Sequence, residues 1–178
     1  MGVDDARASA RLLQERAGQA QPPLAHSVEE LVTEIFALLI DASDDETLVS
    51  APEDVYGLLR HRRNGRNPET LTVWCGENFD DGREGGDYLH LSDGGRLSFS
   101  LTAEYAGQPR RLTSYRFHLR RAAGANPAFL RFDLNTEGAG HDPLYEPRCH
   151  LHPGNDDIRI QCPILNPAEI LHKLLYGM

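Results

Sequence analysis

The feature that most constrains this chain is a change in the spacing of its hydrophobic residues near position 71. Ahead of that point Leu31, Ile35 and Leu38 recur three or four positions apart, which is the spacing of a helix with one buried face. Beyond it, in residues 97–101, Leu and Phe alternate with Ser, as in a strand that buries one face. Helices first and strands afterwards predict an α+β fold.

The second half of the chain predicts a mostly antiparallel meander sheet closed by a C-terminal helix. Residues 92–95, Ser-Asp-Gly-Gly, lie between two alternating runs and predict a tight hairpin, because glycine tolerates the positive φ of such turns. Asn166 followed by Pro167 predicts the first turn of the closing helix. The predicted strands cover residues 71–74, 88–91, 97–103, 112–121, 128–135, 148–152 and 157–162.

Three helices are predicted ahead of the sheet. One covers residues 4–17, a second begins at a capping box on Ser27, and a third ends in the basic residues 60–63, which would complement its C-terminal dipole. The chain is therefore expected to comprise an acidic helical segment, 1–66, and a sheet segment with the closing helix, 67–178, which form one compact unit.

The composition predicts a cytoplasmic protein that has no contact with a membrane. No apolar run approaches the roughly 20 residues that a bilayer span needs, and the first residues are acidic rather than basic and then apolar. The cysteines, Cys75, Cys149 and Cys162, form no CxxC pair. Their number and spacing argue against a secreted disulfide scaffold and against a cysteine-based zinc site.

Charge is unevenly distributed along the chain. Residues 1–59 carry twelve acids and three bases, whereas residues 60–178 carry fifteen of each. One interpretation is that the acidic helices dock on the basic stretch 106–131, which has no acid, or that both are ordinary solvated faces. The other is that the basic stretch contacts phosphate or an acidic partner and that the acidic helices bind a protein partner. A pI near 5.3 argues against broad binding of duplex DNA. The arginines of the basic stretch are Arg110, Arg111, Arg116, Arg120, Arg121 and Arg131.

Strand alternation places a set of polar side chains together on one face of the sheet. Successive side chains of a strand point to opposite faces, so the polar residues of three strands lie opposite the apolar ones. If these strands pair in order, their polar residues become neighbours. The two acids at 156 and 157 are predicted to be loop residues. The polar face combines Arg116, His118 and Arg120 with Arg131 and Asp133, then His150 and His152, and His141 arrives from the loop between.

Acid–base catalysis on a phosphate is one chemistry that such a face supports. A histidine titrates near neutral pH, and an arginine keeps its charge and binds two phosphate oxygens. The site would then need neither metal nor cofactor, as in metal-independent RNA cleavage. In this hypothesis phosphate is bound by Arg116, Arg120 and Arg131, acid–base work falls to His150 and His152, and the residues that position them are Asp133 and His118. His141 is a further candidate for the catalytic set.

Two other interpretations remain open. His150 and His152 at i, i+2 on a strand would bind a metal ion, with Asp133 or His141 completing three ligands. Alternatively the face is an ordinary polar surface, its histidines are structural, and the protein is a non-catalytic subunit that binds a partner through its acidic helices.

The C-terminal third resembles the TumE-type toxins of bacterial toxin–antitoxin pairs. The matching elements are an Arg-x-Asp strand, a loop histidine, a His-x-His element and a short closing helix. The resemblance implies a toxin- or defence-type protein that acts on RNA or on a nucleotide phosphate. The positions that carry it are Arg131, Asp133, His141, His150 and His152.

Overall fold

A computed structural model of the chain describes residues 27–65, 69–76, 87–104, 111–136 and 147–177. The predicted α+β fold is confirmed within these ranges: along the chain, helices precede and follow the strands of an antiparallel sheet. The predicted helix 4–17 and the loop that carries His141 lie outside the described residues. The helices are α1 (Val28–Asp44), α2 (Pro52–Leu58) and α3 (Pro167–Tyr176). The strands are β1 (Leu59–Asn64), β2 (Thr70–Cys75), β3 (Leu89–His90), β4 (Arg96–Glu104), β5 (Leu112–Arg120), β6 (Phe129–Leu134), β7 (Cys149–Pro153) and β8 (Ile160–Gln161).

The sheet is a meander in which each strand pairs antiparallel with its neighbour. The strand order is β1-β2-β4-β5-β6-β7-β8, and the short β3 pairs with the first residues of β4 beyond the end of β2. The predicted hairpin at 92–95 is confirmed as the β3–β4 connection, and Gly94 adopts a φ of 85° there. Pairing of consecutive strands keeps the contacts local in sequence, and it aligns the polar residues of β5, β6 and β7.

The core lies between one face of the sheet and the helices α1 and α3, which pack on each other. Ser27 begins α1 with the predicted capping box: its hydroxyl accepts from the Glu30 N–H at 3.0 Å, and the Glu30 carboxylate accepts from the Ser27 N–H at 2.8 Å. Asn166 caps α3 by accepting from the Ala168 N–H at 2.9 Å. Among the described residues, no helix is long and apolar enough to cross a bilayer. The helices α1 and α3 therefore cover one face of the sheet, and the polar residues lie on the other face.

The prediction that residues 60–63 end a helix is wrong. Helix α2 stops at Leu58, and Arg60, His61, Arg62 and Arg63 belong to β1, which pairs with β2 at the edge of the sheet. All four side chains are exposed. Charged side chains suit an edge strand because they discourage pairing with another chain. The sheet therefore begins ahead of residue 67, inside the segment that was expected to be helical.

Candidate functional site

Two rows of side chains cross the sheet on the face away from the helices. The pairing of β5, β6 and β7 has no shift in register, so each polar residue of these rows lies directly opposite a polar residue on the next strand. The first row, from the β1 edge to the β8 edge, is Arg60, Trp74, Ser100, Arg116, Asp133, His150 and Gln161. The second row is Ser98, His118, Arg131 and His152.

Asp133 is the centre of the site. Its side chain is only 7% exposed, and both carboxylate oxygens accept charged hydrogen bonds. Arg116 Nε donates to Oδ1 at 3.3 Å, and Arg131 Nε donates to Oδ2 at 2.8 Å. A buried carboxylate is tolerated only when it is paired and hydrogen-bonded. The two arginines therefore fix the position of Asp133, and Asp133 in turn fixes theirs.

Arg131 uses each of its three nitrogens for a different partner. Besides Nε on Asp133, Nη1 lies 2.6 Å from Asp156 Oδ1, and Nη2 lies 3.0 Å from His152 Nε2. Its own side chain is 12% exposed and that of Asp133 is 7% exposed, whereas that of Asp156 is 65% exposed. The guanidinium thus contacts two carboxylates: Asp133, which is buried, and Asp156, which is exposed to solvent and can be displaced.

His152 is held by this arginine. An arginine only donates hydrogen bonds, so His152 Nε2 accepts from Nη2 and the ring is neutral with its proton on Nδ1. Burial, then the positive charge of Arg131, lower the pKa of His152. The ring is 1% exposed. Its geometry suits a residue that positions Arg131, which differs from the acid–base role predicted from the sequence.

His150 presents a lone pair to the site. Its Nδ1 lies 2.6 Å from the Pro147 carbonyl oxygen, which can only accept, so the proton is on Nδ1 and Nε2 is free to accept. Burial lowers the pKa of His150, although the hydrogen bond to the Pro147 carbonyl and the nearby Asp133 act in the opposite direction. The ring is therefore neutral at pH 7, with a fixed tautomer. A neutral, oriented imidazole is the form that a general base needs.

Three acceptor atoms converge between these residues. Asp133 Oδ2 lies 3.7 Å from His150 Nε2 and 3.5 Å from His152 Nε2, and the ligand atoms of the three residues all lie within 4.8 Å of one another. The histidine–carboxylate distances are close to those between ligands on one metal ion, for which two histidines and a carboxylate are a common set. Arg131, however, donates to two of these atoms. A cation would bind only after the guanidinium had moved away.

The other predicted residues lie at the margin of this cluster. His118 is 6% exposed, faces Arg131 across β5 and β6, and packs its ring edge-on against Phe129 at 5.3 Å. Arg120 is exposed and lies four residues from Arg116 on the same strand, about 13 Å away at the usual rise. The structure thus brings together Arg116, Arg131, Asp133, His150 and His152.

Two properties of the site were missed in the sequence. Alternation predicts which face is polar but not that it is buried, and as whole residues His118, Asp133, His150 and His152 are all at most 6% exposed. Asp156 was assigned to a loop and not to the site. The signal for it was the turn at Gly154, where a φ of 78° reverses the chain after β7 and a Cβ atom would lie 2.9 Å from Pro127 Cβ. That turn returns Asp156 towards Arg131.

Fold and site define an α+β sheet protein with a buried Arg/Asp/His cluster. Comparisons with protein-family models, with curated proteins and with solved structures gave no match.

Proposed function

We propose that this protein cleaves phosphodiester bonds of single-stranded RNA in the cytoplasm, as a toxin- or defence-type enzyme that needs no metal. The observation that carries the proposal is the position of His150. Its Nε2 has a free lone pair and faces the same carboxylate oxygen that holds Arg131. A neutral base and a phosphate-binding cation are thereby held on either side of one carboxylate.

The chemistry follows from these groups. The 2′-hydroxyl of the RNA donates its proton to His150 Nε2 and attacks the adjacent phosphorus. The bond from phosphorus to the 5′-oxygen breaks, and that oxygen takes a proton from water. The hydroxide left behind takes the proton from His150 and so restores the neutral base. The products are a 2′,3′-cyclic phosphate and a 5′-hydroxyl. The extra negative charge of the pentavalent phosphate is stabilised by Arg131 and by Arg116, whose side chain is 42% exposed.

Asp156 occupies the solvent-facing nitrogen of Arg131 until a substrate binds. Asp156 contacts Arg131 through a single carboxylate oxygen, Oδ1, and a phosphate oxygen can replace it, because a guanidinium binds phosphate as well as carboxylate. At 65% exposure Asp156 loses little when it returns to water. Asp133, at 7% exposure, cannot be released in the same way. His150 is 4% exposed before substrate binds, so the same exchange must open both Arg131 and the adjacent His150 Nε2 to the RNA.

RNA is favoured over a free nucleotide by the row that leads to the site. On the same face Arg60 is exposed, Trp74 is half-buried, and Arg116 is partly exposed. Five strand spacings separate Arg60 from His150, or about 24 Å, which exceeds the length of a mononucleotide. Arginines with an aromatic side chain on a sheet face are the elements by which proteins bind unpaired bases and their phosphates.

The test is cleavage of a labelled single-stranded RNA by the purified full chain in the presence of EDTA. His150→Gln removes the base, and we expect the rate to fall about 100-fold or more. His172→Gln is the matched control: His172 is an exposed histidine on α3 that packs on Tyr176, and its loss should not change the rate. A 2′-deoxy substitution at the scissile position of the RNA should abolish cleavage.

Wild-type protein that leaves RNA intact, or a His150→Gln variant as active as the wild type, would contradict the proposal. In cells, induced expression of the wild type should stop bacterial growth, whereas soluble His150→Gln should not. A non-catalytic subunit that binds a partner through its acidic helices predicts instead that both forms have the same effect on growth.

A metal-dependent hydrolase is the second candidate, and the convergence of Asp133, His150 and His152 within 4.8 Å favours it. Elemental analysis of protein purified without chelator decides between the two. One equivalent of zinc, iron or manganese, lost in Asp133→Asn and retained in Asp157→Asn, would support the metal site. Cleavage that persists in EDTA would exclude a requirement for it.

A further inference from the structure

Two thiols lie in contact on the opposite side of β7 from the histidines. Cys149 Sγ is 3.2 Å from Cys162 Sγ, and Cys149 and Cys162 continue the β7–β8 register beyond the pair His150 and Gln161. The Cys162 N–H donates to the Cys149 carbonyl oxygen at 3.2 Å. Opposite residues in such a hydrogen-bonded antiparallel pair have Cα atoms about 5.5 Å apart, within the range that a disulfide spans.

We propose that Cys149 and Cys162 are a redox modification site, at which a hydroperoxide converts the two thiols into a reversible intrachain disulfide. The proposal is independent of the cleavage of RNA. The bond would tie β7, the strand that carries His150, to the segment that leads into α3.

The surroundings of Cys149 select it as the thiol that reacts first. Its sulfur is 3.3 Å from the Tyr115 hydroxyl, which accepts from the Leu165 N–H and so can donate to the sulfur. Around the Cys149 sulfur lie this hydroxyl, Cys162 Sγ at 3.2 Å and the Pro163 carbonyl oxygen, which accepts from the thiol at 3.2 Å. A hydroxyl that donates to the sulfur stabilises its thiolate, and among the described residues Cys149 alone of the two thiols has such a donor. The thiolate is the reactive form of cysteine.

Access favours a small oxidant. Cys149 is 5% exposed, whereas Cys162 beside it is half-buried, so the pair is reached from the Cys162 side. Cys75, the remaining cysteine, is fully buried in the core, and burial raises its pKa to about 12. It therefore serves as an internal control for non-selective oxidation.

The steps balance with one hydroperoxide for each disulfide. The Cys149 thiolate attacks the peroxide oxygen, the O–O bond breaks, and the leaving hydroxide takes up the proton that Cys149 had lost, which gives a sulfenic acid and water. Cys162 sulfur then attacks the Cys149 sulfur, the S–O bond breaks, and the second hydroxide leaves with the Cys162 proton as water. Two thiols are oxidised and the peroxide is reduced to two waters.

The test is hydrogen peroxide treatment of the folded full chain, followed by alkylation under denaturing conditions and peptide mass spectrometry. The chain has three cysteines, so the free-thiol count should fall from three to one. One crosslinked pair of peptides, holding Cys149 and Cys162, should appear about 2 Da below the sum of the reduced peptides. Dithiothreitol should restore all three thiols.

Variants identify the order of events. Cys162→Ser should stop at a sulfenic acid that dimedone traps on Cys149, Cys149→Ser should form no adduct, and Cys75→Ser should behave like the wild type. Circular dichroism checks that each variant is folded. If a variant does not fold, the experiment on the wild-type protein still tests the proposal. Three free thiols after treatment, a disulfide that includes Cys75, or direct overoxidation without a crosslink would overturn the proposal.

Discussion

Asp133→Asn should destabilise the protein far more than Asp156→Asn, although both remove one carboxylate from the same arginine. Asp133 is 7% exposed and Arg131 is 12% exposed, so the amide would leave a buried guanidinium with a single, solvent-side counter-charge. Removing one partner of a buried ion pair costs about 3 to 5 kcal/mol. Asparagine keeps the shape and one acceptor oxygen of aspartate, so we expect the lower limit, about 3 kcal/mol of unfolding free energy.

The difference in unfolding free energy between the two variants is large enough to be measured by thermal and urea denaturation at pH 7. In a chain of this size 1 kcal/mol shifts Tm by about 2 to 4 °C, so Asp133→Asn should lower it by about 6 to 12 °C. Asp156 is 65% exposed, and an exposed ion pair contributes only about 0 to 1 kcal/mol, so Asp156→Asn should shift Tm by at most a few degrees. Equal shifts in the two variants, or an Asp133→Asn protein as stable as the wild type, would refute the argument that this network is buried and coupled.

Three further predictions concern ligand affinity, pH and oxidation. Asp156→Asn should bind inorganic phosphate up to about fivefold more tightly than the wild type in calorimetry, since loss of a competing exposed ion pair is worth at most about 1 kcal/mol. Asp157→Asn, which changes the neighbouring exposed acid, should not bind phosphate more tightly, and equal gains in the two variants would refute the exchange at Arg131. The pKa values of His150 and His152 are lowered from 6.5, so the unfolded chain takes up protons first as the pH falls, and stability should decline below about pH 6.5. The cleavage rate depends on His150 in the folded protein and should decline only at a lower pH than stability does. Replacing both rings with glutamine should flatten the decline in stability in urea unfolding measured against pH. The peroxide-oxidised protein should be more stable than the reduced protein by about 3 kcal/mol, the value for a closed loop of this length, and an unchanged urea midpoint would contradict it.

The fold was predictable where local sequence signals act alone. Alternation in residues 97–101 and 112–121 gives the strands their buried faces, and the same rule places Arg131 and Asp133 on one side. The hairpin at 92–95 follows from the glycines, which permit its backbone conformation. From β4 to β8 consecutive strands pair, so local patterns were sufficient for the topology of that part of the sheet.

The features that were predicted wrongly or missed depend on contacts between residues that are distant in the sequence. Residues 60–63 are cationic and follow a helix, and nothing in their own pattern shows that β2 offers a partner edge. The burial of His150 and His152 depends on what covers the face, which alternation does not encode. Asp156 reaches Arg131 through a turn at Gly154, and the contact of Cys149 with Cys162 depends on the β7–β8 register. Each is a contact set by packing rather than by local propensity.

The measurement that tests the central claim most directly is mass spectrometry of the ends of RNA fragments produced by the full chain in EDTA. Our account has the 2′-hydroxyl lose its proton to His150 while Arg131 holds the phosphate. It therefore predicts 2′,3′-cyclic phosphate and 5′-hydroxyl ends, absent with His150→Gln. Fragments with 3′-hydroxyl and 5′-phosphate ends, or no fragments at all, would contradict it.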